Sequence, residues 1–90
     1  TTRNVLIGRG EHYYSNSKVG LFILTNQDVK VGDTLLISGP TTGEHQFRLE
    51  KMLVNGVENN FAQSGDKITI EFPSKIRKSD NLYKIVTKNK

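Results

Sequence analysis

The sequence contains no cysteine, only two prolines and no hydrophobic run long enough to cross a membrane. Without cysteine the chain can form no disulfide and no thiolate nucleophile, and it cannot build a zinc or iron–sulfur site on cysteine. The two histidines, His12 and His45, are too few to hold a metal by themselves. These absences predict a chain with no catalytic residues, no metal site and no cofactor.

The N-terminus, Thr1-Thr2-Arg3-Asn4, has neither an initiator methionine nor the pattern of a signal peptide. Ninety residues are enough for one domain with one modest core. We therefore expect a single monomeric domain over residues 1–90, with its core between about 5 and 86, excised from a larger protein. We also expect a cytoplasmic location and no membrane partner.

Charge is concentrated at one end of the chain. The net charge is +4, from 13 basic and 9 acidic residues. Between Pro73 and Lys90 six basic residues face a single acid, Asp80. A basic segment of this kind is either a solvated edge or a surface that binds phosphate-bearing partners.

Apolar residues recur at every second position, which is typical of strands and not of helices. The clearest example is Ile68, Ile70 and Phe72, which alternate with polar neighbours. The stretch from Val57 to Phe61 has no such pattern and is interpreted as a loop, and a β-bulge is expected to return Met52 to the core. The predicted core is Val5, Ile7, Leu21, Ile23, Leu35, Ile37, Phe47, Leu49, Ile68, Ile70, Phe72 and Leu82.

Turn signals separate the predicted strands. Gly-Asp pairs precede two strands, and Ser79-Asp80 precedes a third, because glycine supplies a positive φ and aspartate caps the turn. Further turns are expected at residues 14–18, at Asn55-Gly56 and at Gly39-Pro40-Thr41-Thr42-Gly43, which lacks the lysine of a phosphate-binding loop. Six short strands joined in this way predict an all-β protein, a small closed barrel. The structural turn residues are Gly32, Asp33, Gly39, Gly43, Gly65, Asp66 and Asp80.

The order of these motifs resembles two families. A Gly at the first strand (Gly8), Val31-Gly32-Asp33 and Ala62-Gln63-Ser64-Gly65-Asp66 resemble the second, β-barrel domain of translation elongation factors. A closer resemblance is to the C-terminal barrel of the collagenase-like peptidase family U32. It rests on Tyr13-Tyr14-Ser15 with Gly20, on Val31-Gly32-Asp33, on Gly39-Pro40-Thr41-Thr42-Gly43 and on Ser79-Asp80-Asn81-Leu82-Tyr83-Lys84.

The resemblance implies a six-stranded closed β-barrel of the translation-factor second-domain type, taken from the C-terminal part of a larger protein. The parent would carry a catalytic domain and act as a peptidase or as an RNA- or quinone-modifying hydroxylation factor. This chain would be its non-catalytic accessory domain, with the parent's catalytic domain as partner.

Two functions remain open for such a domain. In the first, it positions RNA or another anionic substrate, with basic side chains that hold phosphate and an aromatic ring that stacks on a base. The candidate nucleic-acid-binding residues are Lys75, Arg77, Lys78, Tyr83 and Lys84, with Lys88 and Lys90 completing the patch. In the second, the domain is structural and packs on its parent enzyme or mediates assembly.

Overall fold

The computed structural model describes residues 2–73 and 75–87. Within these residues there are ten strands and no helix, so the prediction of an all-β protein is confirmed. The strands are β1 (Thr2–Tyr14), β2 (Val19–Leu24), β3 (Val29–Lys30), β4 (Thr34–Gly39), β5 (Gly43–Arg48), β6 (Leu53–Val54), β7 (Val57–Glu58), β8 (Phe61–Ala62), β9 (Lys67–Glu71) and β10 (Asn81–Thr87).

Eight strands form one sheet in the order β5-β4-β10-β1-β2-β9-β6-β7, and β3 pairs with β8 in a second sheet. The long strand β1 lies at the centre and pairs antiparallel with both β2 and β10. Its first residue pairs with the last residue of β10, Thr2 with Thr87. Two register shifts, between Leu6 and Gly8 and between Gly10 and His12, bend β1 and let the sheet curl around the core.

One cluster of buried side chains fills the concave side of the sheet. It includes most of the predicted core, and Val5 and Phe47 pack against it from partly exposed positions. Ile76, from the segment before β10, adds to it although it belongs to no strand. The curled sheet therefore needs loop residues to complete its core.

The expectation of a closed six-stranded barrel is wrong. The six predicted strands correspond to β1, β2, β4, β5, β9 and β10, but among the described residues β5 pairs with β4 alone. Strand β5 and the segment after β9 approach each other, but they contact through aromatic side chains and not through backbone hydrogen bonds. The ring of Phe72 lies 5.3 Å from that of His45 and 6.1 Å from that of Phe47, centroid to centroid. Rings placed between two strands hold the backbones too far apart for a ladder, whose strands lie about 4.8 Å apart.

The predicted orientation of β2 is also wrong. Phe22 and Leu24 are buried in the core, whereas Leu21 and Ile23 lie on the opposite face and are partly exposed. Both faces of this strand are apolar, so alternation alone could not select the inner one. The pairing with β1 places the faces: the buried Gly8 and Gly10 pair with Leu24 and Phe22, and the exposed Arg9 pairs with Ile23.

Two further expectations are corrected between β5 and β9. The segment 57–61, interpreted as a loop, contains β7 and the start of β8. Met52 is buried as predicted, but it reaches the core from a stretch without strand structure rather than from a β-bulge. In the turn between β6 and β7, Asn55 and Gly56 both have positive φ, 52° and 90°, as expected for that dipeptide.

The turns before β4, β9 and β10 share one geometry. In each, an aspartate side chain accepts a hydrogen bond from the backbone N–H three residues earlier, at 2.9 Å for Asp33, 3.0 Å for Asp66 and 2.9 Å for Asp80. The aspartate N–H donates to the carbonyl of the same earlier residue. Gly32 and Gly65, which precede two of these aspartates, have φ of +105° and +97°. Aspartate therefore closes each turn just before a strand begins.

Candidate functional site

The basic loop, defined here as residues 75–78, precedes β10 in the chain and packs against Gly10 of β1. Its apolar residue Ile76 is buried, and Gly10 of β1 packs against Ile76 and the carbonyl of Arg77. Gly10 also donates its N–H to the Asp80 carbonyl at 2.9 Å. These contacts hold the loop in place while the side chains of Lys75, Arg77 and Lys78 remain exposed.

Arg9 of β1 is a further exposed cation at this end of the sheet. Its Cα partner on β10 is Asn81, three residues after the loop ends. Residues 2–73 and 75–87 contain one ion pair, between Lys84 and Asp33, so Arg9 and the three cations of the loop form none there. Sequence reasoning missed Arg9 because it belongs to another strand, far along the chain.

Tyr83 and Lys84 lie on opposite faces of β10. The Cα partner of Lys84 on β4 is the core residue Leu35, so Lys84 projects towards the concave side. There its ammonium donates to the Asp28 carbonyl at 3.1 Å and lies 3.5 Å from the Asp33 carboxylate. The structure therefore does not place Lys84 with the basic loop, and Lys88 and Lys90 lie outside the described residues.

Tyr83 belongs instead to a row of apolar residues on the convex side of the sheet. Its Cα partners are Leu36 of β4 and Leu6 of β1, and Ile85 follows two positions later on the same side of β10. We call these four residues the outer face. Leu36 is only 7% exposed yet is not part of the core cluster, while Leu6 is 45% exposed. The sequence carried a signal for this surface in Val5-Leu6-Ile7 and Leu35-Leu36-Ile37, where uninterrupted apolar runs indicate strands covered on both faces.

The Gly39–Gly43 loop between β4 and β5 is fastened to the turn before β10. The Thr42 hydroxyl donates to Oδ2 of Asp80 at 2.7 Å, and a Cβ on Gly39 would collide with Oδ1 of the same carboxylate. Asp80 is fully buried. Gly43 has a φ of +80°, whereas Gly39 has no positive φ and is required by this close approach. Two of the motifs that carried the family resemblance therefore meet at one carboxylate.

A groove of about 480 Å³ runs along the open side of the sheet. We call it the seam. One wall is the end of β5 and the segment after it, and the other is β9 with its neighbour Leu53. Apolar side chains line its floor, among them Phe47, Leu49 and Ile70. Charged side chains, including Arg48 and Glu71, stand at its rim.

The hairpin between β1 and β2 presents the remaining aromatic residues. Tyr13 packs against the core and donates its hydroxyl to the Phe72 carbonyl at 2.8 Å, whereas Tyr14 is exposed and stacks edge-on with His12 at 4.5 Å. This division between a packed and an exposed tyrosine is the one that alternation predicts. Within the described ranges no group of three or more metal-ligating side chains comes together.

In the part of the chain that the structure describes, no helix is long and apolar enough to cross a bilayer.

Sequence comparison finds relatives among proteins named as collagenases and proteases. The chain is 31% identical over 84 residues to a collagenase of Porphyromonas gingivalis, covering 93% of this chain and 20% of that protein. It is likewise 31% identical over 81 residues to an uncharacterized protease of Methanocaldococcus jannaschii, covering 90% of this chain and 20% of that protein. The chain thus spans about a fifth of the length of these relatives. No protein-family model matches it.

Structure comparison finds solved domains with the same fold. The C-terminal domain of a Geobacillus thermoleovorans U32 peptidase superposes with a TM-score of 0.78 at 15% identity, over 89% of this chain and 91% of that one. Its selenomethionine variant gives 0.77 over 86% and 95%. The resemblance to the second domain of translation factors stays a prediction. The chain therefore has the fold of the C-terminal domain of a U32 peptidase, and its sequence is similar to one part of longer proteins named collagenase.

Proposed function

We propose that this chain is a non-catalytic accessory domain of a collagenase-like protein and packs on the rest of that protein through the outer face. The similarity to a C-terminal domain, and to a fifth of longer proteins named collagenase or protease, supports a partner within the same polypeptide. The observation that carries the proposal is the row formed by Leu6, Leu36 and Tyr83 on the convex side.

The outer face has the composition of an interface centre. The exposed Leu6 and the partly exposed Tyr83 and Ile85 surround the buried Leu36 on three neighbouring strands. Apolar patches of this kind are uncommon on the exposed side of a protein that has no partner. Leu36 is already buried by its neighbours, so the patch is packed and does not need to rearrange on binding. The rest of the parent protein would cover Leu6 and Tyr83.

The test mixes the 90-residue chain with the separately produced remainder of its parent and measures affinity by calorimetry. Leu6→Lys should weaken binding by about tenfold or more, since a central apolar contact is lost and a charge is desolvated. Val57→Lys is the matched control, because Val57 is an exposed apolar strand residue outside the outer face. Equal affinities of the two variants would contradict the proposal, and so would no binding by the unsubstituted 90-residue chain.

The basic loop supports a second candidate function, the positioning of RNA or another anionic substrate for a catalytic domain. Arg9, Lys75, Arg77 and Lys78 supply four exposed cations from two neighbouring segments, and none of them forms an ion pair within the described residues. With Lys84 engaged by Asp33, these four cations would carry the binding.

Salt dependence tests this second function. If three or four of the cations contact single-stranded RNA, the logarithm of the binding constant should fall against the logarithm of salt with a slope of about −2 to −3. Lys78→Glu should weaken binding and flatten that slope in a fluorescence anisotropy titration. Lys30→Glu, on β3 and outside the loop, should do neither. Absence of binding at low salt would remove RNA as a partner.

A further inference from the structure

We propose that Asn55 is a site of spontaneous covalent modification, at which the side-chain amide is lost and the β6–β7 hairpin is released from β9. The reacting pair is an asparagine followed by a glycine in an exposed turn, and the co-reactant is water. This inference concerns the edge of the sheet at β7. It depends neither on the outer face nor on the basic loop.

The reaction takes place within the chain. The backbone nitrogen of Gly56 gives its proton to solvent base and forms a bond to Cγ of Asn55, while the Cγ–Nδ2 bond breaks and Nδ2 leaves as ammonia with a proton from water. Water then opens the five-membered succinimide at either carbonyl, which yields aspartate or isoaspartate. One water is consumed and one ammonia is released, with no oxidation or reduction. Glycine favours the attack because it has no side chain beside the reacting nitrogen.

The turn exposes both reacting residues to solvent. Asn55 and Gly56 are exposed, and nothing lies within 4 Å of the position that a Cβ would take on Gly56. Strand β7, which follows the turn, pairs with β6 alone among the described residues, and β6 is held to β9 by two residue pairs. The hairpin therefore lies at the edge of the sheet, where local opening costs least.

Asn55 itself fastens the turn to the start of β9. Its Nδ2 donates to Oδ1 of Asp66 at 3.1 Å, and its Oδ1 accepts from the N–H of Lys67 at 3.1 Å. Its own N–H donates to the Lys67 carbonyl at 2.8 Å. We call these three hydrogen bonds the amide clamp. The clamp fixes the side-chain torsions of Asn55, so ring closure requires it to open, and the rate of the reaction reports that opening.

Either product destroys the amide clamp. Aspartate replaces the Nδ2 donor with a carboxylate oxygen, which would face the Asp66 carboxylate across the former hydrogen bond, and two like charges at that separation repel. Isoaspartate lengthens the main chain by one methylene, which a two-residue turn with positive φ at both positions does not accommodate. The hairpin then leaves β9 and uncovers Val54, which is 9% exposed in the fold.

Peptide mapping by mass spectrometry follows the modification in the 90-residue chain at mildly alkaline pH. The peptide that contains Asn55 should gain about one dalton before any of the exposed residues Asn16, Asn26 and Asn59 reacts, because none of these three precedes a glycine. In guanidinium chloride, where the amide clamp is absent, Asn55 should react at least about tenfold faster than in the folded chain.

A pair of variants tests the amide clamp. Asp66→Ala removes the acceptor of Nδ2 and should speed the reaction of the folded chain about fivefold. Asp33→Ala is the matched control, because Asp33 closes the turn before β4 in the same way but bonds to Lys30 instead of Asn55. Circular dichroism establishes that both variants fold; if Asp66→Ala does not, the comparison of folded and unfolded chain decides.

Amide hydrogen exchange measures the release of the hairpin. In the purified product, and in Asn55→Asp, the amide of Lys67 should exchange at least about tenfold faster than in the unmodified chain, because its acceptor on Asn55 is displaced. Amides in the middle of β10, several strands away, should not change.

Three results would overturn the proposal. One is no reaction at Asn55 in the folded chain, or a reaction no sooner than at the other three asparagines. Another is an equal rate in folded and unfolded chain, or in folded Asp66→Ala and Asp33→Ala. The third is unchanged exchange of the Lys67 amide in the modified chain, which would show that the hairpin stays on β9.

Discussion

Asp80 closes the turn before β10 and, unlike its counterparts Asp33 and Asp66, does so inside the protein. Its Oδ2 accepts hydrogen bonds from Arg77 and Thr42, while its Oδ1 is buried against Gly39 and has no hydrogen-bond partner among the residues that the structure describes. Oδ1 lies so close to the backbone of residue 39 that no Cβ fits between them. Glycine at position 39 meets that requirement because it brings no Cβ.

Substitution of Gly39 should therefore be more destructive than its backbone conformation suggests. Gly39→Ala should lower the free energy of unfolding by about 1–3 kcal/mol, because the added methyl meets the Asp80 carboxylate. Gly32→Ala is a control with a different mechanism, since Gly32 has positive φ but open space around it, and should cost about 1 kcal/mol. Urea denaturation compares the two. A smaller loss for Gly39→Ala would mean that the carboxylate moves aside.

In strand β2, the pairing with the neighbouring strand β1 indicates which face is buried. Both of its faces are apolar, and Phe22 and Leu24 are the inward residues because they pair with the buried Gly10 and Gly8 of β1. Gly20, the next inward residue, has room only for hydrogen, since a Cβ there would press on Ile76 and Phe22. The small residue thus makes space for the segment before β10.

Two adjacent truncations test this orientation. Phe22→Ala should cost about 3–5 kcal/mol, because a fully buried ring is removed. Ile23→Ala should cost about 1 kcal/mol or less, because its side chain lies on the convex side. Denaturant unfolding of the two variants gives the ranking. The reverse order would show that β2 sits one residue out of register.

Some features of the fold could be predicted from the sequence pattern alone. Runs such as Ile68 to Phe72, with polar residues between apolar ones, determine both the strand and its inner face. Asn55-Gly56 determines a turn, because both residues tolerate positive φ. Three features could not be predicted this way: which face of β2 is buried, the orientation of Lys84 towards the concave side, and the close approach of Gly39 to Asp80. Each depends on strand pairing or on a contact between segments far apart in the chain.

At the scale of the whole molecule, the eight-stranded sheet of the described residues has a protected centre and two edge strands, β5 and β7. Strands β10, β1 and β2 each have neighbours on both sides, whereas β5 has one. Leu49, directly after β5, bonds through its backbone to Asp33 and Gly32 on the β4 side. Because backbone groups of a strand alternate in direction, those of Phe47 also face β4, whereas the N–H groups of Gln46 and Arg48 point outward. An edge of this kind should exchange its outward amides readily while its inward amides remain protected.

Residue-resolved amide hydrogen exchange measures this directly. We expect the amides of Gln46 and Arg48 to exchange at least about tenfold faster than that of Phe47, which lies between them in the chain. Amides in the middle of β10 should be the slowest, because both of their neighbouring strands must separate first. Uniform protection along β5 would indicate a partner strand at the edge and a closed barrel.

The pairing of Thr2 with Thr87 brings the two ends of the described fold side by side, with their Cα atoms about 5 Å apart. A domain with adjoining ends can be inserted into a surface loop of a host protein without stretching either one. The same adjacency suits circular permutation: a short linker across the old termini, with new ones opened at the Asn55–Gly56 turn, would make β10 and β1 consecutive. The strand pair that now closes the longest loop would then form locally, and the rearranged chain should fold faster than the original.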